Sequence, residues 1–274
     1  MSTGAPKLIV SDIDGTFLNS TNRVTPRLRD VIMRAVRSGA KFGLATGRPH
    51  RWLTPVLDQL PISPICVCAN GAVLYDPSSD SILARHELEP DVMADIVSAV
   101  ASAMPSGIGW GVERVGSSAL DPEDECFLIT QDYNPDLWDI GYGKVTIREL
   151  VSVPAAKLLV RHPTMNSAEM FDIIAPLVDA DDAHVTYSMD EGLIEIAAPG
   201  ITKATGVSTL AAHYGLTAAD TITFGDMPND VEMLAWAGLG VAMGNAAPIV
   251  HDAADYITGD NDSDGVAQVL ERWF

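Results

Sequence analysis

The chain has 274 residues, 47% of them apolar and 20% charged, enough for one large domain or two smaller ones. That apolar share, with no long polar tract, excludes disorder over most of the length. Seventeen Lys and Arg stand against 37 Asp and Glu, a formal charge of −20, which argues against partners that need a basic footprint: no nucleic acid and no anionic membrane surface.

In chain order, residues 7–11 (KLIVS) read as a strand covered on both faces. The apolar run meets Asp12 too soon for the core of a signal peptide, so the expected location is the cytoplasm. Thr25 and Pro26 form a helix start, with Leu28, Val31, Ile32, Ala35 and Val36 at helical spacing and Gly39 just past the end. Residues 40–46 are a second strand, Pro49 opens a helix running to about Leu60, and 65–69 (ICVCA) are a third strand. Cys66 and Cys68 there, and Cys126 later, fit buried thiols in a reducing compartment better than zinc, which needs about four ligands. The alternation returns with a helix at 202–214, a strand at 221–225, a helix at 229–236, a strand at 239–243 and short helices at 247–253 and 265–273. The longest stretch without a charge or histidine, 233–250, is broken by Gly238, Gly240, Gly244, Asn245 and Pro248, so it does not read as a membrane span. Alternating strands and helices imply right-handed crossovers and a parallel sheet.

Residues 85–190 differ, with a helix at 90–104, strands near 108–114, 126–131 and 157–162, a helix at 167–178 and a strand near 184–188. They hold 6 Lys and Arg against 19 Asp and Glu, so most of the acidity lies there. The expected organisation is an α/β domain (1–84 and 191–274) interrupted by an α+β domain (85–190). Within the insert, Trp110, Tyr133, Trp138, Tyr142 and Tyr187 read first as packing residues, with a sugar- or ring-binding face as the alternative. Lys157 and Arg161 share a strand face, as surface charge or toward a substrate anion.

Ligands of open α/β sheets bind beyond the carboxyl ends of the strands. Those ends are followed here by Asp12-Ile-Asp14-Gly15-Thr16, by Thr46-Gly47-Arg48, by Asn70-Gly71 and by Asp226-Met-Pro-Asn229-Asp230. One such aspartate is an ordinary turn residue. Asp12, Asp14 and Asp226 brought together repel unless a cation sits among them, and hard carboxylates without histidines suit Mg²⁺ rather than zinc. Lys203 falls in the first turn of a helix capped by Thr202, where the macrodipole disfavours it. It reads either as a solvated surface lysine or as part of an anion site built with the helix amides. Thr46 offers a hydroxyl and Gly47 an open amide at a strand end.

Together these residues resemble the haloacid dehalogenase (HAD) superfamily of phosphohydrolases, Cof-type subfamily, with a large IIB cap. DIDGTFL (12–18), ATGR (45–48), Lys203 and GDMPND (225–230) look like its four motifs in order, and AGLGVAMGNA (237–246) and DGVAQVL (264–270) like its tail. The resemblance implies a Rossmann-like parallel-sheet core with an inserted α+β cap. It implies a Mg²⁺-dependent phosphatase of small phosphorylated metabolites, sugar phosphates favoured. Asp12 would be the nucleophile that forms an aspartyl-phosphate, and Asp14 the general acid and then the base. The Asp12 and Asp226 carboxylates and the Asp14 backbone carbonyl would hold the metal. Thr46, Gly47, Lys203 and Asn229 would bind phosphate, and Asp230 would support the metal or Lys203 from behind. Arg48, Asn70 and Gly71 would lie near the substrate, Arg48 equally as a structural ion-pair partner. The insert would close over the site and select the leaving group, its acidity disfavouring heavily anionic substrates. A sugar phosphomutase or phosphotransferase on the same scaffold, and a non-catalytic phospho-accepting or binding module, remain alternatives, and the sequence leaves the oligomeric state open.

Overall fold

The structure is a computed structural model that describes residues 4–104, 107–135 and 141–274; Trp138 lies outside the described residues. In chain order the strands are β1 (Leu8–Asp12), β2 (Lys41–Ala45), β3 (Ile65–Cys68), β4 (Val73–Asp76), β5 (Ser81–Arg85), β6 (Gly109–Glu113), β7 (Phe127–Ile129), β8 (Gly143–Lys144), β9 (Lys157–Arg161), β10 (His184–Thr186), β11 (Leu193–Ala197), β12 (Thr221–Gly225), β13 (Leu239–Ala242) and β14 (Tyr256–Ile257). They form an eight-stranded sheet, β14-β13-β12-β1-β2-β3-β4-β5, and a six-stranded sheet, β10-β11-β9-β6-β7-β8. Two compact units result, one of residues 1–83 with 202–274 and one of 84–201.

The first unit is α/β. From β14 to β3 every neighbouring pair runs parallel, and β4 turns back antiparallel to β3. β1 is completely buried, as a continuous apolar run covered on both faces should be. Successive strands add outward from β1 in both directions, which makes β1 and β12 the switch point of the sheet. The carboxyl ends of these two strands carry Asp12 and Asp226.

Helix Pro26–Arg37 starts with the expected cap, Thr25 Oγ1 accepting from Leu28 N at 3.1 Å, and buries Leu28, Val31, Ile32 and Ala35. The expected helix from Pro49 to about Leu60 is instead a 3-10 turn, His50–Trp52, and one α turn, Thr54–Leu57. Pro55 has no N–H with which to continue the ladder. Cys66, Cys68 and Cys126 are free, buried thiols.

The second unit is α+β. All its strand pairs are antiparallel except β7–β8. Trp110, Val112, Leu158, Val160, Ile194 and Ile196 pack against Met93, Ile96 and Val100 of helix Pro90–Ala103 and Met170 and Ile174 of helix Ser167–Ile174. The chain returns to the first unit after Ile201, not after residue 190 as the sequence suggested. The reason is β11, which pairs with β9 and β10 and so belongs to the second sheet. No helix among the described residues is long and apolar enough to cross a membrane.

Gly71 sits at φ +101°, and a Cβ there would stand 2.1 Å from the carbonyl oxygen of Thr202, the cap of helix Lys203–His213. Gly71→Ala should therefore cost at least about 2 kcal/mol, from backbone strain and overpacking. Thermal unfolding should show a Tm lower by roughly 4–8 °C; an unchanged Tm would show that this helix start moves freely.

Candidate active site

The site grows from the carboxyl ends of β1, β2, β3 and β12. After β1 the chain makes one wide turn, in which Leu18 N donates to Ile13 O at 2.9 Å. Gly15, at φ +75°, permits it, and a Cβ there would strike Asp226 Oδ2 at 2.3 Å. The first and fourth sequence motifs thus meet across this glycine. Thr16 Oγ1 donates to Asp226 Oδ1 at 2.7 Å, and Asn245 Nδ2 donates to Gly15 O at 2.9 Å. Neither Thr16 nor Asn245 was singled out from the sequence. Both lie inside stretches that carried the resemblance, so the signal was there without a role attached.

Lys203 is 2% exposed, in the first turn of a helix whose cap, Thr202, accepts from Thr205 N. Its ammonium donates to Asp12 Oδ1 and to Asp230 Oδ1, both at 2.6 Å. The surface-lysine reading is therefore wrong: the penalty from the macrodipole is outweighed by two carboxylates. Burial pushes the Lys203 pKa down, and Asp12 and Asp230 more than reverse that. Asp230, wholly buried, accepts through its other oxygen from Asp226 N and Met227 N, each at 3.0 Å. Each of its two oxygens thereby has at least one donor.

Asp12 is pushed well above the usual carboxylate range, first by burial and then by Asp230, Asp226 and Asp14, against the pull of Lys203. Asp226 is raised to about 7, again first by burial and then by Asp230, against Thr16 and Lys203. Asp12, Asp226 and Asp230 each bring an oxygen within 4.8 Å of the others. Three carboxylates around one ammonium leave an excess of negative charge in a buried place.

Asp14 does not join that group through its side chain. Its two oxygens take Arg48, Nε at 2.8 Å and Nη2 in a second, short contact, and it stays half exposed. Burial works against the Arg48 charge, and the bond to Asp14 more than compensates. Of the two readings of Arg48, the structure therefore contains the ion pair.

Thr46 is buried, its backbone locked between Val67 O and Asn70 N, and its hydroxyl accepts from Arg48 N at 3.1 Å. Gly47 is half buried beside it. Asn70, left-handed at φ 55°, accepts through Oδ1 from Asn229 Nδ2 at 3.0 Å, while Asn229 Oδ1 is buried without a hydrogen-bond partner. Gly71 packs against Thr202, so its place at this site is to let the Lys203 helix approach.

A family model described as haloacid dehalogenase-like hydrolase matches residues 9–270. The 5-amino-6-(5-phospho-D-ribitylamino)uracil phosphatase YitU of Bacillus subtilis is 30% identical over 278 residues, covering 98% of each chain. Among solved structures, a HAD-superfamily phosphatase from Bacteroides thetaiotaomicron superposes with a TM-score of 0.81 at 22% identity over 99% of this chain and 97% of its own. A HAD subclass IIB sugar phosphatase does so with a TM-score of 0.78 at 22% identity over 97% and 98%. With strand-end motifs, buried lysine and overall fold all in agreement, the chain belongs to the haloacid dehalogenase-like hydrolases.

Proposed function

We propose that the protein is a Mg²⁺-dependent phosphatase that releases phosphate from small phosphorylated metabolites, sugar phosphates above all, with Asp12 as nucleophile. The observation that carries this reading is the buried Lys203 ammonium bound to both Asp12 and Asp230. It holds the Asp12 carboxylate beside a fixed, buried cation at the end of β1. The activity named for the Bacillus relative, on a phosphate ester of a ribityl chain, agrees with it.

The residues fit a hard divalent cation. The donor set near Asp226 is all oxygen, burial and then the neighbouring Asp230 raise the Asp226 pKa to about 7, and Mg²⁺ favours oxygen ligands. Asp12 and Asp226 would hold it with the main-chain carbonyl of Asp14. Asp230 is occupied by Lys203 and two amides and backs the site instead. When bound, the cation neutralises charge on the phosphoryl oxygens.

The chain's own groups account for the rest. Asp12 attacks phosphorus and becomes the aspartyl-phosphate, which divides hydrolysis into two displacements. Asp14 gives its proton to the departing oxygen and later takes one from water. Arg48 occupies both Asp14 oxygens, so Asp14 serves only after that pair opens. Lys203, the Thr46 hydroxyl, the Gly47 amide and the second Nδ2 hydrogen of Asn229 orient the phosphoryl oxygens. The unit of residues 84–201 acts as the cap that selects the leaving group.

With p-nitrophenyl phosphate and Mg²⁺, Asp12→Asn should abolish turnover, and Asp14→Asn should slow it by roughly 10²–10⁴-fold. EDTA should silence the wild type. Substantial activity in folded Asp12→Asn would remove Asp12 as nucleophile.

The raised Asp226 pKa gives a second test. A carboxyl raised from 3.8 to about 7 stabilises the metal-free fold most below pH 4 and loses that contribution as the pH rises through 7. In EDTA, Asp226→Asn should therefore gain in Tm over the wild type between pH 4 and pH 7. Saturating Mg²⁺ should raise the Tm of the wild type alone. Parallel pH curves in EDTA would contradict the buried-charge account.

A further inference from the structure

Past β13 the chain is fastened to the fourth motif by its own backbone. Met243 N donates to Gly225 O, and Ala247 N donates to Asp226 O, both at 3.0 Å. Asn245 stands between these two anchors. Its side chain crosses to the first motif, where Nδ2 donates to Gly15 O at 2.9 Å. Its Oδ1 accepts from Asn261 N at 3.1 Å, and Asn261 Nδ2 donates to Leu18 O at 2.9 Å. The segments that carry the two asparagines lie side by side. Gly244 N donates to Gly259 O at 3.1 Å, and a Cβ on Gly244 would stand 3.0 Å from Asp260 N. Two carboxamides thus hold the turn after β1 at two of its carbonyls, those of Gly15 and Leu18.

That turn is irregular. Asp14 (φ −82°, ψ 125°) and Gly15 (φ 75°, ψ −2°) both leave helical geometry, so no regular ladder fixes the backbone there. The residue type at 245 matters as well. A carboxamide donates and accepts at once, whereas a carboxylate only accepts and an alkyl group does neither. Asn245 is exposed. A hydrogen bond of this kind adds only about 0.5–1.5 kcal/mol to folding. Its place in the site is the more telling property. Thr16 joins the two motifs through the Asp226 side chain. Asn245 joins their main chains, from the Asp226 carbonyl to the carbonyl next after Asp14.

We infer that Asn245, backed by Asn261, is a positioning residue that fixes the turn carrying Asp14 relative to Asp226 and thereby sets the affinity for the divalent cation. The inference rests on the phosphatase reading, in which the Asp14 main chain and the Asp226 carboxylate hold the same ion. Residues that touch no metal but orient its ligands change its affinity by roughly 10–100-fold when removed.

Full-length wild type, Asn245→Ala and Asn261→Ala are compared without substrate. In EDTA, Asn245→Ala should unfold within about 4 °C of the wild type, as the loss of one exposed hydrogen bond implies. Titrated with Mg²⁺ alone in a calorimeter, it should bind roughly 10–100-fold more weakly. Asn261→Ala should also bind more weakly, by a smaller factor, because its bond to Leu18 lies farther from Asp14. Should Asn245→Ala fail to fold, Asn261→Ala, which leaves Asn245 in place, carries the test. Affinities equal to the wild type's in the folded variants would overturn the inference. Were the wild type itself to bind no Mg²⁺, the metal part of the phosphatase reading would fall, and hydrogen exchange of the Leu18 amide in metal-free protein would decide the clamp alone. Exchange faster by about fivefold in Asn245→Ala, one hydrogen bond's worth, supports it, and unchanged exchange overturns it.

Discussion

The Lys203 ammonium between Asp12 and Asp230 is the interaction around which the catalytic unit is arranged. All three groups are buried, and removing one partner of a buried ion pair costs about 3–5 kcal/mol because the other charge is stranded. Each member is therefore fixed by independent structure. Asp12 ends a fully buried central strand. Asp230 accepts two backbone amides at the end of β12. Lys203 is set by the capped start of a helix that closes on Gly71, and Gly206 of the same helix sits so near Val67 and Gly71 that a Cβ would clash with both. The glycines bring the helix close enough for one ammonium to reach two strand ends.

That geometry also explains the electrostatics. One ammonium cannot neutralise Asp12, Asp226 and Asp230 together, and burial, reinforced by this crowding, raises the pKa values of Asp12 and Asp226. A site poised in this way favours whatever brings positive charge to Asp12 and Asp226, and then an anion beside Lys203. Asp14 is treated differently. It pairs with Arg48 in a half-exposed place, whereas Asp12 is buried against Lys203. Two aspartates two residues apart thus have separate environments, as an acid–base group and a nucleophile require.

Much of this was legible in the sequence, for identifiable reasons. A buried parallel strand reads as an unbroken apolar run, and the polar residues that follow such runs converge at the sheet's carboxyl edge. That logic found Asp12, Asp226, Thr46 and Asn70 without any knowledge of contacts. It could not show that Arg48 would take Asp14, because the two are paired only across the sheet. The hairpin of β4 and β5 was not anticipated, since its turn-rich segment has no helical or strand period long enough to read. β11 was misassigned for a related reason: its apolar alternation is ordinary, and its membership of the second sheet depends on pairing with β9, over thirty positions away in sequence.

The central claim is that Asp12 carries the phosphoryl group. The most direct measurement is acid quenching of Asp14→Asn during turnover of p-nitrophenyl phosphate, followed by tryptic mass mapping. The account predicts the added mass of one phosphoryl group on the peptide spanning residues 8–23, located at Asp12 and absent without substrate. Turnover that proceeds with that peptide unmodified at every quench time, or a phosphoryl group on another residue, would contradict it.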